Sequence, residues 1–255
     1  MTGATLADKV CPICSGPAAA HDVVDFNKSC IEGSGAFLPL TGIPIYYYLC
    51  QKCGFCYAPE MHAWTPDEFS RSVYNDDYTK VDPDWIEARP RGNAQHLAQL
   101  FGAAGGAIRH LDYGGGIGLL SDLLQGAGWN STSYDPFVDR DVNPRDLGKF
   151  DLITSFEVFE HVPDATRLID DLAALLSDDG VIYFSTLVTE GNIAPHQRLT
   201  WWYAAPRNGH ISLYTRTSLA TLGARHGFQF GSVTTNLHTF WRRIPPWAAH
   251  VFRIA

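Results

Sequence analysis

Leu111-Asp112-Tyr113-Gly114-Gly115-Gly116-Ile117-Gly118 is the stretch that decides the fold of this 255-residue chain. It follows the apolar run that opens at Ile108 and precedes a segment with Leu119, Leu120, Leu123 and Leu124 on one helical face, so a strand Ile108–Tyr113 turns here into a helix Ile117–Gln125. Glycine permits positive φ in such a turn and brings the backbone close to a ligand. The spacing is Gly-x-Gly-x-Gly, not the Gly-x-Gly-x-x-Gly that seats a pyrophosphate on a helix N-terminus. Asp135 ends the next strand, 21 residues after Gly114, where a carboxylate can accept hydrogen bonds from two ribose hydroxyls. Asp112, just before the turn, suits a ligand with a positive charge.

Strands and helices alternate from this point on. Asp151–Phe156 reads as a strand, and Asp164 caps a helix carrying Leu168, Ile169, Leu172, Leu175 and Leu176 that stops at Asp178-Asp179-Gly180. Val181–Leu187 is the next strand, Thr217–His226 a helix ended by Gly227, and Phe228–Asn236 with one further short strand closes the sheet. Upstream, Asn93 to Phe101 has helical apolar spacing and a stop at Gly102. The alternation predicts a doubly wound, mostly parallel α/β sheet over residues 93–255. Residues 61–92 are rich in Tyr, Asp and Pro, with Tyr74-Asn75-Asp76-Asp77-Tyr78 at their centre, and read as a linker and lid with little regular structure.

The six cysteines, at 11, 14, 30, 50, 53 and 56, lie in the first quarter of the chain. Cys11-Pro12-Ile13-Cys14 and Cys50-Gln51-Lys52-Cys53 are two Cys-x-x-Cys pairs, the spacing that turns two thiolates toward one point and, twice over, builds a tetrahedral cage for Zn2+. Four protein ligands close such a site, so the zinc is expected to be structural. Residues 1–60 are read as this zinc module, with a strand at Ile45–Leu49 and with Cys30 and Cys56 as small buried hydrophobes. The start, Met1 to Val10, lacks the basic and apolar regions of a signal peptide, and a cytoplasmic protein is expected. No apolar run reaches the roughly 18 residues of a membrane span. Lys and Arg number 19 against 27 Asp and Glu, a formal charge of -8, which disfavours a polyphosphate partner.

These residues resemble the class I S-adenosylmethionine-dependent methyltransferases. The matching pieces are the glycine turn, Asp135 and Phe150-Asp151-Leu152-Ile153-Thr154-Ser155-Phe156-Glu157-Val158-Phe159-Glu160-His161-Val162-Pro163-Asp164, the last resembling the segment after the fourth strand in the quinone-biosynthesis O-methyltransferase type. The resemblance covers about residues 93–240. It implies a Rossmann-like methyltransferase sheet of seven strands, one antiparallel, behind a small zinc-ribbon-like module. It also implies S-adenosyl-L-methionine as cofactor, with Gly114 and Gly116 close to it, Asp112 toward its methionine end, Asp135 on its ribose, and Phe156 and Glu157 at its border. Asp151 follows Asp135 by only 16 positions, which leaves little room for the third strand and its helix; Asp139 and Asp141 are candidates for reading the adenine. A zinc module ahead of such a domain is similar to sugar C-methyltransferases and to a ribosomal-RNA guanine methyltransferase type.

Few side chains offer chemistry. His210, in Trp201-Trp202-Tyr203-Ala204-Ala205-Pro206-Arg207-Asn208-Gly209-His210, is the candidate general base, and His161 is a second catalytic candidate with a loop-orienting role as its alternative. Trp201, Trp202, Tyr203 and Tyr78 are candidates for an aromatic substrate wall, and Arg207 for an acidic group on the substrate. Glu157, Glu160 and His161 form a string that a divalent ion could use, although residues so close in sequence rarely converge without an outside ligand. The reading is an enzyme that methylates oxygen or carbon on a small glycosyl, quinone-like or secondary-metabolite acceptor. An RNA methyltransferase gripping its substrate through the zinc module and a non-catalytic binding protein of the same fold stand beside it.

Overall fold

The computed structural model describes residues 6–253. In chain order the elements are β1 Lys9–Val10, β2 Pro17–Asp25, β3 Pro44–Cys50, β4 Cys56–Tyr57, α1 Pro59–His62, α2 Pro66–Ser72, α3 Tyr78–Val81 and α4 Ala88–Phe101. There follow β5 Arg109–Tyr113, α5 Leu119–Gly126, β6 Asn130–Tyr134, β7 Phe150–Phe156, α6 Ala165–Leu175, β8 Leu176–Ser185, β9 Ser212–Leu213, α7 Arg216–Arg225, β10 Gln229–Ser232 and β11 Leu237–Trp241. The chain divides into two compact units. One takes the chain up to Pro83 with Glu160–Thr166 and Leu187–Leu222; the other takes Asp84–Phe159, Arg167–Thr186 and the chain from Gly223 on.

The first unit is built on an antiparallel sheet in the order β1-β2-β3-β4-β9. Its last strand comes from far along the sequence, where Cys56 pairs with Leu213 and Tyr57 with Ser212. Tyr47, Phe55, Cys56, Met61 and Tyr214 are fully buried there, with the Phe55 and Tyr214 rings 5.0 Å apart. Residues 61–92 are not the irregular linker expected from their composition: three short helices occupy much of them before α4 begins at Ala88. Thr65 and Glu68 close a capping box at the start of α2, each side chain bonding the other's backbone N–H, and Pro66 sits at the position where its missing N–H costs nothing.

The second unit carries the glycine turn. Among the described residues its sheet has six strands in the order β10-β11-β8-β7-β5-β6, with β5, β6, β7 and β8 parallel and β11 antiparallel to both neighbours. The expected seventh strand is missing because the interval between Asp135 and Asp151, which is 16 positions further on, holds only a turn and the short helical stretch Pro144–Leu147. The helix expected to reach Asp178 ends at Leu175, and β8 starts at once, with a register shift after Phe150 that lets Val181 pair with Leu152. Leu97 and Phe101 of α4, Leu120 and Leu124 of α5, Leu152 and Tyr183 share one buried cluster, the faces their spacing implied. Phe159, Phe184 and Phe240 stack at 4.2 and 4.8 Å, and a Cβ at Gly223 would strike the Phe240 ring, so the backbone at Gly223 lies tight against that ring.

Candidate functional site

In the second unit, parallel β5 and β6 bring Asp112 and Asp135 to neighbouring strand ends, and the glycine turn bridges them. Gly114 N–H donates to the Tyr134 carbonyl at 2.8 Å, and Gly116 N–H donates to Asp135 Oδ2 at 3.0 Å. Asp135 Oδ1 accepts a second amide, that of Phe137, so this carboxylate braces the turn it was expected to serve. Asp139 Oδ2 accepts the Asp135 N–H at 2.8 Å, which makes one adenine candidate a brace of the same turn. Gly116 has φ 57°, and a Cβ there would meet nothing nearer than Trp85 at 3.9 Å. That is open space beside a backbone only glycine adopts readily, room in which a ligand can approach. Gly115, which sequence reasoning passed over, is tighter: a Cβ would overlap Ser133 Oγ and Asp112 Oδ2.

Asp112 is 4% exposed, and its Oδ1 accepts the Thr154 hydroxyl of β7 at 2.9 Å. Burial raises its pKa from 3.8 to about 7, aided by the charge on Asp135 and opposed by the Thr154 hydrogen bond. A buried carboxylate of this kind is stabilised by a cation. Phe156 packs edge-on to Tyr183 at the end of β7. Glu157, next, has φ 53°, unusual for a residue with a side chain. The Ser185 hydroxyl holds it there, accepting Glu157 N–H at 2.8 Å and donating to Glu157 Oε1 at 2.6 Å.

The first unit gathers the other candidates. His210 Nδ1 lies 2.8 Å from the Tyr203 carbonyl. A carbonyl only accepts, so Nδ1 carries the hydrogen and Nε2 keeps the basic lone pair. The Tyr203 hydroxyl donates to Glu160 Oε1 at 2.5 Å and accepts Leu187 N–H at 3.3 Å. The His161 and His210 rings stand nearly perpendicular, 4.8 Å apart, and Cys30 Sγ is 3.7 Å from His210 Nδ1. Cys30 is therefore a neighbour of the candidate base, where a buried filler was expected. One ligand atom each of Glu160, His161 and His210 lies within 4.8 Å of the others. His210 thus takes the place of Glu157 in the donor group that the Glu-x-x-Glu-His string suggested.

Arg207 is 6% exposed and committed to the chain itself, its guanidinium donating to the Val73 carbonyl at 2.9 Å and to Asn75 Oδ1 at 3.2 Å. It braces the segment that leads to Tyr78, a use different from the expected substrate contact. Tyr78 is buried, edge-on to Tyr74 at 5.2 Å. Trp201 is buried beside Tyr203, whereas Trp202 is partly exposed and lies over Gly33.

The four cysteines converge as their spacing predicts. Cys11 and Cys53 Sγ are 3.7 Å apart, Cys14 and Cys50 Sγ 3.4 Å, and all four lie within 4.8 Å of one another. Zn–S bonds of about 2.3 Å in a tetrahedron place sulfurs about 3.8 Å apart, so the donor set fits zinc in both chemistry and spacing. Lys52 and Cys53 N–H groups point at Cys50 Sγ, donors that a thiolate ligand accepts.

The turn, its flanking carboxylates and the mixed sheet are those of a class I S-adenosylmethionine-dependent methyltransferase. Residues 85–233 match the family model described as a methyltransferase domain, and the chain belongs to that family. The ubiquinone biosynthesis O-methyltransferase of Actinobacillus pleuropneumoniae serotype 7 is 32% identical over 135 residues, 41% of this chain and 51% of the relative. That of Coxiella burnetii (strain Dugway 5J108-111) is 43% identical over 49 residues, 19% of this chain and 21% of the relative. The chain thus spans about half the length, or less, of these curated relatives. Among solved structures, the 1,6-didemethyltoxoflavin-N1-methyltransferase of Burkholderia thailandensis is similar at 16% identity and a TM-score of 0.47, over 78% of this chain and 96% of that one. Magnesium protoporphyrin IX methyltransferase of Synechocystis is similar at 17% identity and a TM-score of 0.44, over 69% of this chain and 97% of that one. No helix among the described residues is long and apolar enough to cross a membrane.

Proposed function

We propose that the protein transfers a methyl group from S-adenosyl-L-methionine to oxygen or carbon of a small-molecule acceptor of glycosyl, quinone-like or secondary-metabolite type. The buried Asp112 carboxylate beside the open space at Gly116 carries this reading, because it pairs a place for a cation with room for a ligand at the backbone. Asp112, Gly114, Gly116, Asp135, Phe156 and Glu157 are assigned to the cofactor. When bound, the cofactor supplies an electrophilic methyl on a sulfonium. The remaining task is to place the acceptor and, for a hydroxyl or acidic carbon, to take its proton. His210 Nε2 is assigned that proton, since Nδ1 is spent on the Tyr203 carbonyl. His161, Tyr78, Trp201, Trp202 and Tyr203 are assigned to positioning the acceptor. The four cysteines hold a structural zinc in this reading.

One observation favours a variant of it. Glu160, His161 and His210 could hold a divalent ion, in which case His210 Nε2 is a ligand and not a base. The net charge of -8 weighs against an RNA substrate. Calorimetry with S-adenosylmethionine, followed by transfer of labelled methyl to metabolite fractions with and without a chelator, tests the proposal. Binding without transfer to any fraction would support a non-catalytic binding protein, and labelling of RNA alone would overturn the small-molecule reading.

A further inference from the structure

Behind Asp112 runs a row of buried polar side chains that the reaction does not use. The His110 ring, on β5 two residues before Asp112, has no exposure at all, yet both nitrogens have hydroxyl partners. Nδ1 is 2.7 Å from Ser131 Oγ of β6, and Nε2 is 2.9 Å from Thr154 Oγ1 of β7. Ser131 Oγ is in turn 3.0 Å from Ser121 Oγ of α5, and Thr154 donates to Asp112 Oδ1 at 2.9 Å. Five side chains from four elements therefore form one continuous row that ends on the carboxylate.

Proton counting gives this row two consistent arrangements. A neutral imidazole has one N–H and one lone pair, and each hydroxyl donates once along the row. Burial draws the pKa of His110 down to about 3, so the ring is neutral at ordinary pH. With Asp112 ionised, Thr154 gives its hydrogen to the carboxylate and must accept from His110 Nε2–H; Ser131 then donates to Nδ1, and Ser121 to Ser131. With Asp112 protonated the whole row reverses: the carboxyl donates to Thr154, Thr154 to Nε2, Nδ1–H to Ser131, and Ser131 to Ser121. The two arrangements differ by the one proton on Asp112, and in each the ring has a partner on both sides. Apolar residues at position 110 would leave Thr154 free to rotate toward the Leu111 carbonyl, 3.5 Å from its Oγ1.

We infer that His110 is a positioning residue for the cofactor site: it aims the Thr154 hydroxyl at Asp112 and thereby keeps that carboxylate oriented and charged for a cationic ligand. The inference rests on the assignment of Asp112 to the cofactor. The other groups facing Asp112 are Asp135, after β6, whose negative charge opposes ionisation, and Gly115, which leaves no room for a Cβ beside Oδ2.

The tests are the ring tautomer without ligand, and S-adenosylhomocysteine and S-adenosylmethionine binding across pH. In 15N spectra of the wild-type protein, His110 is expected to be the Nε2–H tautomer above the titration of Asp112 and the Nδ1–H tautomer below it. A single tautomer across that titration overturns the relay, whatever the cofactor proves to be. In calorimetry, S-adenosylmethionine affinity should fall as Asp112 gains its proton. His110→Leu and Thr154→Val should both move that midpoint upward by about one pH unit, a tenfold weaker affinity near neutrality that recovers at alkaline pH. Thr154→Ser, which keeps the hydroxyl, should retain the wild-type profile and serves where the Leu variant fails to fold. An unshifted midpoint in Thr154→Val, or an affinity loss equal at every pH, overturns the inference. Wild-type protein that binds neither cofactor form overturns the proposed function instead, with the tautomer experiment still deciding the relay.

Discussion

Replacing Asp112 with Asn should make the ligand-free protein more stable and the cofactor site worse. The folded Asp112 has a pKa of about 7, against the ordinary 3.8, chiefly because its carboxyl is taken out of water. Between those two values the unfolded chain releases a proton that the folded chain keeps, so folded-state stability falls as pH rises from about 4 to about 7 and stays lower above that. At about 1.4 kcal/mol per pKa unit, a shift of about three units amounts to a penalty on the order of 4 kcal/mol at mildly alkaline pH. Asn keeps an oxygen for the Thr154 hydroxyl and carries no charge, so it escapes the penalty. Urea unfolding of both proteins at a series of pH values is the assay. The variant should gain on the wild type by a few kcal/mol at about pH 8, with the gap closing toward about pH 4.5. Its affinity for S-adenosylmethionine should fall at the same time, since the cation loses its counter-charge. A stability difference that is flat across pH would refute the argument that burial of this carboxylate is what the fold sustains for its ligand.

Cys14→Ser should lower bound zinc below one equivalent and destabilise the first unit, while Cys30→Ser keeps full metal content; metal analysis after gel filtration separates the two. Gly115→Ala puts a methyl group into Ser133 Oγ and Asp112 Oδ2, and should cost about 1–3 kcal/mol of stability together with much of the cofactor affinity, read by thermal unfolding and calorimetry. His210→Ala should reduce turnover by roughly a hundredfold with cofactor affinity unchanged, and His210→Gln should not restore it; near-native turnover in the Gln variant across pH would leave His210 an orienting group. If a chelator abolishes turnover and zinc at the four cysteines is retained, the Glu160, His161 and His210 group is a metal site and His210 is its ligand.

Much of the fold was legible because its signals are local. The Leu and Phe spacing of α4 and α5 follows from one face meeting the sheet, whereas the seventh strand that the resemblance implied is not formed in the short interval between Asp135 and Asp151, whose length left little room for it. The residues from 61 to 92 were misread because Pro and Asp suggest irregular chain, yet Thr65-Pro66-Asp67-Glu68 carries a helix-start signal that its capping box confirms. No comparable signal marks β9. Its two residues, Ser212 and Leu213, become a strand only by pairing with Cys56 and Tyr57, more than 150 positions away.

The same distinction governs the site. The two Cys-x-x-Cys pairs and the glycine turn are motifs because one short segment supplies the geometry, and the chain then needs only to bring two such segments together. The histidine cluster has no such economy. Cys30, Glu160, His161, Tyr203 and His210 come from three distant segments, and what relates them is a single residue used at both ends. The Tyr203 carbonyl takes the Nδ1 hydrogen of His210, while its hydroxyl donates to Glu160. The basic nitrogen of His210 is thereby chosen by main chain, which no side-chain pattern encodes. His110 was passed over for a related reason. A lone histidine in a strand reads as core until β6 and β7 are seen to offer it a hydroxyl on each side, and those hydroxyls, Ser131 and Thr154, are ordinary strand residues until the carboxylate at the end of their row gives them a direction.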